Sequence, residues 1–234
     1  LFNGGLYRDE TYEQKFELIP QARFTAFVAD GMGGHNAGEF ASRYAVEIIV
    51  NTAKNTEKTD TIGILKECVS NANASLRAYA DDHEEMRGMG TTLVAAVLDG
   101  RRHSFPTRRS SDLSRLYVVG DRIRQITQDH SLVQEMVRLG EMDQESARTH
   151  PDRNIITRAI GADRKVQADV FETVLEPGDR ILLCSDGLTN MVEDDEILRI
   201  LNGSGDLVSK TEYLVELANR NGGKDNITVI TIEP

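Results

Sequence analysis

Cysteine is scarce: the chain has two, Cys68 and Cys184, far apart in 234 residues. Neither has the spacing of a zinc ligand. Cys68 falls on an apolar helical stripe and Cys184 inside an apolar run, the places of core thiols in a reducing compartment. Long hydrophobic stretches are missing too, none approaching the roughly 18 residues of a membrane span. The opening LFNGGLYRDETYEQKF has neither a basic leader nor the apolar centre of a signal peptide. Together these absences predict a soluble, cytoplasmic protein with no membrane partner. An initiator Met is also lacking, so the sequence reads as a fragment. Basic residues are outnumbered, 27 Lys and Arg against 38 Asp and Glu, for a formal charge of −11. That balance repels nucleic acid phosphates, argues against a nuclease, and leaves cations as the more natural ligands. Repeats and low-complexity linkers are absent as well. With 39% hydrophobic residues, the chain has the length and composition of a single domain over 1–234.

What is present is organised in helix pairs among runs of strands. Gly38 to Lys54 sets Phe40, Ala41, Tyr44, Ala45, Ile48 and Ile49 at helical spacing, and about Thr61 to Asp82 repeats the pattern. TTLVAAVLDG, Thr91 to Gly100, reads as a strand ending in an Asp-Gly turn. SRLYVVGDRIRQIT holds Gly120 and Asp121 between two short alternating runs, the spacing of an antiparallel hairpin. From Gln128 to about Ile160 the chain is polar and irregular, apart from a helix near Leu132 to Leu139 stopped at Gly140. Then come a strand around Ala168 to Val174, the strand RILLCSDG, two helices at about Glu193 to Leu201 and Asp206 to Asn219, and a final strand NITVITI. This order favours an α+β sandwich over a doubly wound sheet.

Asp30, Asp186 and Asp225 each lie at the edge of an apolar strand, in FTAFVADG, ILLCSDG and GGKDNITVITI. Two readings stand side by side. Asp-Gly is a common turn dipeptide, and Asp99 before Gly100 has the same look with no further meaning. Alternatively, acids at strand ends project from one rim toward a shared point, where their repulsion requires a cation. Oxygen donors without Cys or close-set His suit Mg²⁺ or Mn²⁺ better than zinc. Two such ions about 3.5 to 4 Å apart suit hydrolysis of a phosphate ester. Ser185 precedes Asp186, but CSDGL is not a nucleophile elbow.

FVADGMGGHNAGEFAS, GMGTTLVAAVL, SRLYVVGD, TQDHSLV, ILLCSDGL and GGKDNITVITI stand in the order and spacing of one family. Over nearly its whole length the chain resembles the bacterial metal-dependent Ser/Thr protein phosphatases of type 2C. The resemblance implies a four-layer α-β-β-α sandwich of two antiparallel sheets flanked by helix pairs, with two Mn²⁺ or Mg²⁺ ions in a cleft at one end. It implies metal-dependent hydrolysis of phosphoserine and phosphothreonine in proteins, with Ser/Thr kinases and their substrates as partners, by a monomer. Carried over by position, Asp30 resembles the carboxylate bridging the two ions. Gly31 resembles the residue lending a backbone carbonyl, its missing side chain leaving room for a hydrated metal. Asp186 and Asp225 resemble ligands of the other ion, and Asn226 a support of the turn. Gly33, Gly34 and His35 receive no ligand role. Some members carry His where this chain has Met32, and there it is a candidate general acid.

Three places depart from the family pattern. RRHSFPTRRSSDLSR, Arg101 to Arg115, replaces an apolar strand with Arg, Ser and a Pro unsuited to a central ladder, so 101–113 is anomalous. It reads as an insertion loop, as a basic docking patch, or as a piece foreign to the gene. The family's acid for a third metal falls at Leu113, and Asp112 is one residue early, which turns a strand side chain to the opposite face. The third site is therefore expected to be lost. The N-terminal strand with its phosphate-binding Arg is expected to be missing. Arg101, Arg102, Arg108, Arg109 and Arg115 are expected to be solvated at the surface. His130 to Ile160 resembles the flap that tunes substrate choice. These departures support an alternative of another class, a catalytically impaired phosphoprotein-binding or regulatory module of the same fold.

Overall fold

Residues 93 to 98 are buried on both faces, which a strand achieves only between two covering layers. The computed structural model describes residues 23–58, 60–99, 107–110, 114–162, 164, 166 and 168–234. In chain order the elements are β1 (Arg23–Val28), β2 (Gly31–Met32), α1 (His35–Asn55), α2 (Thr61–Asp82), β3 (Gly90–Thr91), β4 (Leu93–Asp99), β5 (Thr107–Ser110), β6 (Arg115–Val119) and β7 (Ile123–Gln125). They continue with α3 (Leu132–Leu139), α4 (Gln144–Thr149), β8 (Asp169–Phe171), β9 (Arg180–Cys184), α5 (Asp186–Thr189), α6 (Asp194–Leu201), α7 (Leu207–Arg220) and β10 (Val229–Ile232). One four-stranded sheet has the order β1-β4-β5-β8 and a second the order β10-β9-β6-β7. Every pairing in both is antiparallel.

Period-two alternation sorts the strand side chains into layers. Val94, Ala96 and Leu98 of β4 meet Leu116, Val118, Ile181 and Leu183 of the second sheet in one apolar core. Leu93 packs on the other side with Ala41, Ala45 and Ile49 of α1 and Cys68, Ala72 and Leu76 of α2. Tyr117, Val119, Leu182 and Cys184 turn outward from the second sheet onto Ile197, Leu201, Leu214 and Ala218 of α6 and α7. The layers therefore run helix pair, sheet, sheet, helix pair. Each fully buried Leu or Ile in these cores contributes roughly 1.5 to 3 kcal/mol. Among the described residues no helix is long and apolar enough to cross a membrane.

Several expected boundaries shift for local reasons. The first helix starts at His35, ahead of the expected Gly38, because Gly33 and Gly34 at φ 114° and 83° turn the chain into it at once. The segment expected to be irregular contains α4, whose first turn is capped by the Asp143 carboxylate accepting from Ser146 N at 2.8 Å. The expected loss of a strand within 101–113 is corrected for the backbone. Thr107–Ser110 pairs with both β4 and β8, so a polar sequence occupies an interior place in the first sheet. Asp112, Leu113, Arg101 and Arg102 lie outside the described residues.

The antiparallel register brings the acids to one end. β1 stops at Val28 opposite Val94, just short of Asp30. In the second sheet Cys184 lies opposite both Arg115 and Val229. Asp186 follows β9 and Asp225 precedes β10, so both sit beyond that end of the ladder.

Candidate metal centre

Asp30 lies past the ladder of β1, yet its backbone is tied on both sides. Its N–H donates to Thr92 Oγ1 at 2.9 Å. Its carbonyl accepts from Thr92 N at 2.7 Å and from Thr91 Oγ1 at 2.9 Å. Gly31 then pairs with Thr91 in the two-stranded β2-β3 ribbon. A Cβ at Gly31 would collide with the carbonyl oxygen of Gly38 in the first turn of α1. The glycine is thus required by backbone packing against the helix, a reason beyond the room for a metal expected from the sequence. The His35 side chain lies outside the described residues.

Asp186 opens α5 and is 5% exposed. Its Oδ2 accepts from Asn190 Nδ2 at 3.2 Å. Its Oδ1 is buried with no hydrogen-bond partner among the described residues, a state that disfavours an ionised carboxylate unless a cation faces it. Asp225 is exposed, and its Oδ1 accepts from Asn226 N at 2.8 Å. The loop around it is fastened to β9 by one hydroxyl: Ser185 Oγ donates to Asn226 O and accepts from Thr228 N, each at 3.1 Å. Gly187 makes this approach possible, since a Cβ there would collide with Asn226 O.

Electrostatics links the three acids. Burial, then the charges of Asp186 and Asp225, then a proton shared with Asp186 push Asp30 up to about 7, against the opposing Gly31 N–H. Burial first, and the charge of Asp225 second, raise Asp186, while Arg115 and the Gly187 N–H oppose the rise. Among the described residues no three acid, imidazole or thiol side chains gather into a ready-made cage. Three carboxylates that act on one another without closing into a cage fit a hard cation that keeps most of its waters and takes one or two carboxylates from the protein. They suit zinc poorly, since zinc is held by three or four close protein ligands among which His or Cys predominate. Cys184 is no nucleophile, because burial pushes its thiol up to about 12.

Arg115 corrects the expectation of a solvated surface arginine. Its side chain is 24% exposed and its Nη2 sits 2.7 Å from Asp129 Oδ2. Nη1 donates to Tyr117 Oη at 3.1 Å, and that hydroxyl donates to Asp194 Oδ1 at 3.2 Å. The chain of bonds ties the residues before α3 to β6 and α6. No positioning role is read from the sequence for Thr91, Thr92, Ser114, Ser185 or Gly187, and Ser185 is weighed there only as a nucleophile. The available signal was the small hydroxyl residues abutting apolar strands in GTTL, SRLY and CSDG. Two open polar clefts, of about 300 and 460 Å³, lie between α1 and α2 around Asn55, Thr56 and Glu67, and contain none of the three acids.

Fold and acids together define a class, an α-β-β-α sandwich with an acid-lined end. The chain belongs to the protein phosphatase 2C family, whose model matches residues 4–228. It is similar to the serine/threonine phosphatase stp of Listeria monocytogenes, 41% identical over 213 residues that cover 88% of this chain and 82% of that protein. Among solved structures, the Staphylococcus aureus serine/threonine phosphatase Stp1 superposes with a TM-score of 0.83 at 33% identity, over 95% of this chain and 100% of the other. The catalytic domain of the serine/threonine protein phosphatase PstP, solved in complex with two manganese ions, superposes with a TM-score of 0.77 at 34% identity, over 88% of this chain and 86% of that one.

Proposed function

We propose that the chain is a metal-dependent protein phosphatase that hydrolyses phosphoserine and phosphothreonine esters in proteins. The observation that carries this reading is the gathering of half-buried Asp30 and buried Asp186 at one end of the two sheets, with Asp186 Oδ1 unpartnered among the described residues. Asp30 would bridge two ions, Gly31 would offer its carbonyl to one, and Asp186 and Asp225 would hold the other. The ions are Mn²⁺ or Mg²⁺, and a third site is lost at Leu113. When bound, such a pair supplies Lewis acidity toward phosphoryl oxygens and a water of lowered pKa.

The protein's own contribution is to fix in place carboxylates that burial and mutual repulsion push toward protonation. Thr91 and Thr92 hold the Asp30 backbone, and Ser185 holds the Asp225 loop. Met32 has no proton to give, so this chain supplies no general acid at that position. The segment 130–160 shapes substrate choice as a flap, and the partners are phosphoproteins and the Ser/Thr kinases that produce them. We place the protein in the bacterial cytoplasm, in signalling, as a monomer of one domain.

The test is turnover of a phosphothreonine peptide by purified chain with Mn²⁺, beside Asp30→Asn. Activity lost in the variant supports the reading; equal rates remove it. Calorimetric binding of the peptide without turnover would favour a non-hydrolytic module instead.

A further inference from the structure

Asp30 belongs to the first sheet and Asp186 to the second, so their separation depends on how the two sheets are held together at the end beyond β1 and β9. The core between the sheets is apolar. Apolar packing is non-directional and permits small slides of one layer on the other. At the acid-bearing end a directional contact appears: Thr92 Oγ1 lies 3.0 Å from Ser114 Oγ. Thr92 and Ser114 are 2% and 3% exposed. Thr92 stands between β3 and β4, and Ser114 immediately precedes β6.

The same Thr92 oxygen accepts the N–H of Asp30, and the Thr92 N–H donates to the Asp30 carbonyl. On the other side, Arg115 lies opposite Cys184 in the β6-β9 ladder, so Ser114 stands one step further along, level with Ser185 and beside Asp186. A continuous path of bonds therefore runs from the Asp30 backbone through Thr92 Oγ1 and Ser114 Oγ to the strand end that carries Asp186. Neither hydroxyl faces the reaction. Their pairing could merely satisfy two buried polar groups. Its position, across the sheets and attached to Asp30 itself, gives it a second consequence.

We infer that the Thr92–Ser114 hydroxyl pair is a cross-sheet strut that sets the spacing of Asp30 and Asp186, making Thr92 and Ser114 positioning residues for the divalent cations. The inference rests on the metal-dependent reading above. Outer partners of metal-holding groups typically change affinity about 10- to 100-fold when removed, and a strut one bond away from Asp30 belongs at the lower end.

Mn²⁺ affinity, measured by calorimetry on the whole chain, tests it together with thermal melting in EDTA. Thr92→Val keeps shape and removes the hydroxyl; it should weaken Mn²⁺ binding about tenfold. Ser114→Ala should weaken it by a smaller factor, since it removes the cross-sheet bond alone while Thr92→Val also removes the acceptor of the Asp30 N–H. The double variant should be no worse than Thr92→Val, in which the cross-sheet bond is already gone. Thr92→Ser should restore the affinity. Unchanged Mn²⁺ affinity in Thr92→Val, with only the EDTA melting point lowered, overturns the strut and leaves the metal site intact. If Thr92→Val does not fold, Ser114→Ala decides on the same criterion. Failure of the unsubstituted chain to bind Mn²⁺ overturns the metal-dependent reading, and the strut with it.

Discussion

Ser185 Oγ donates to the carbonyl of Asn226 at 3.1 Å, joining the start of the Asp186 helix to the loop that carries Asp225. Since the same oxygen accepts from Thr228 N, one hydroxyl fixes two points of that loop. Ser185→Ala removes both bonds and should destabilise the chain by about 1 to 3 kcal/mol, roughly 0.5 to 1.5 kcal/mol for each. Gly187→Ala should do at least as much, because its methyl meets Asn226 O and must push the Asp225 loop away. Guanidinium denaturation gives the stability of both. Phosphopeptide hydrolysis should fall further in Gly187→Ala than in Ser185→Ala, since only the former displaces the loop by force.

Metal-free stability should depend on pH through Asp30. Its folded pKa of about 7 lies above the ordinary 3.8, so the folded state holds the proton more tightly than the unfolded state. Stability is therefore greatest below the unfolded value and is lost as pH rises through the folded one. The window is about pH 4 to 7, and the loss across it is of order 4 kcal/mol. Urea titrations in EDTA at pH 5 and pH 8 should show it. Asp30→Asn should flatten the difference and be the more stable protein at pH 8.

Added Mn²⁺ should reverse that loss by binding only the folded state. At one hundred times the dissociation constant the gain is about 2.7 kcal/mol, or roughly 5 to 10 °C in melting temperature for a chain of this size. Asp30→Asn should melt at the same temperature with and without Mn²⁺. A full metal-dependent rise in that variant would remove Asp30 from the ligand set.

Asp129→Ala should be among the more damaging single changes outside the acids. The Arg115–Asp129 pair is 24% and 13% exposed, and removing one member of a largely buried pair costs about 3 kcal/mol. Arg115→Lys retains the charge but cannot reach Asp129 and Tyr117 together, so it should recover only part of the loss. Melting temperatures of the two variants, compared in EDTA, measure this without reference to activity.

Much of this architecture is legible in the sequence because periodicity and burial coincide. The helix at Thr61–Asp82 and the hairpin of Arg115–Val119 with Ile123–Gln125 follow from apolar spacing and from Gly120-Asp121. The helix at Gln144–Thr149 escapes because six residues carry too little pattern, although Asp143 three before Ser146 is a capping signal. The acids themselves are legible as types at strand ends. The hydroxyls that hold them are not, because Thr92 and Ser114 are adjacent only through sheet packing, and Ser185 meets Thr228 across 43 positions. Arg115 was misread for the same reason: its partner Asp129 lies 14 positions on, across a hairpin.

Cys68 and Cys184 are 1% and 0% exposed, and neither is joined in a disulfide. With both of its thiols sealed inside, this phosphatase offers peroxide and alkylating agents no thiolate to attack. Under an oxidant burst that silences thiol-dependent enzymes, this protein would go on erasing phosphate marks.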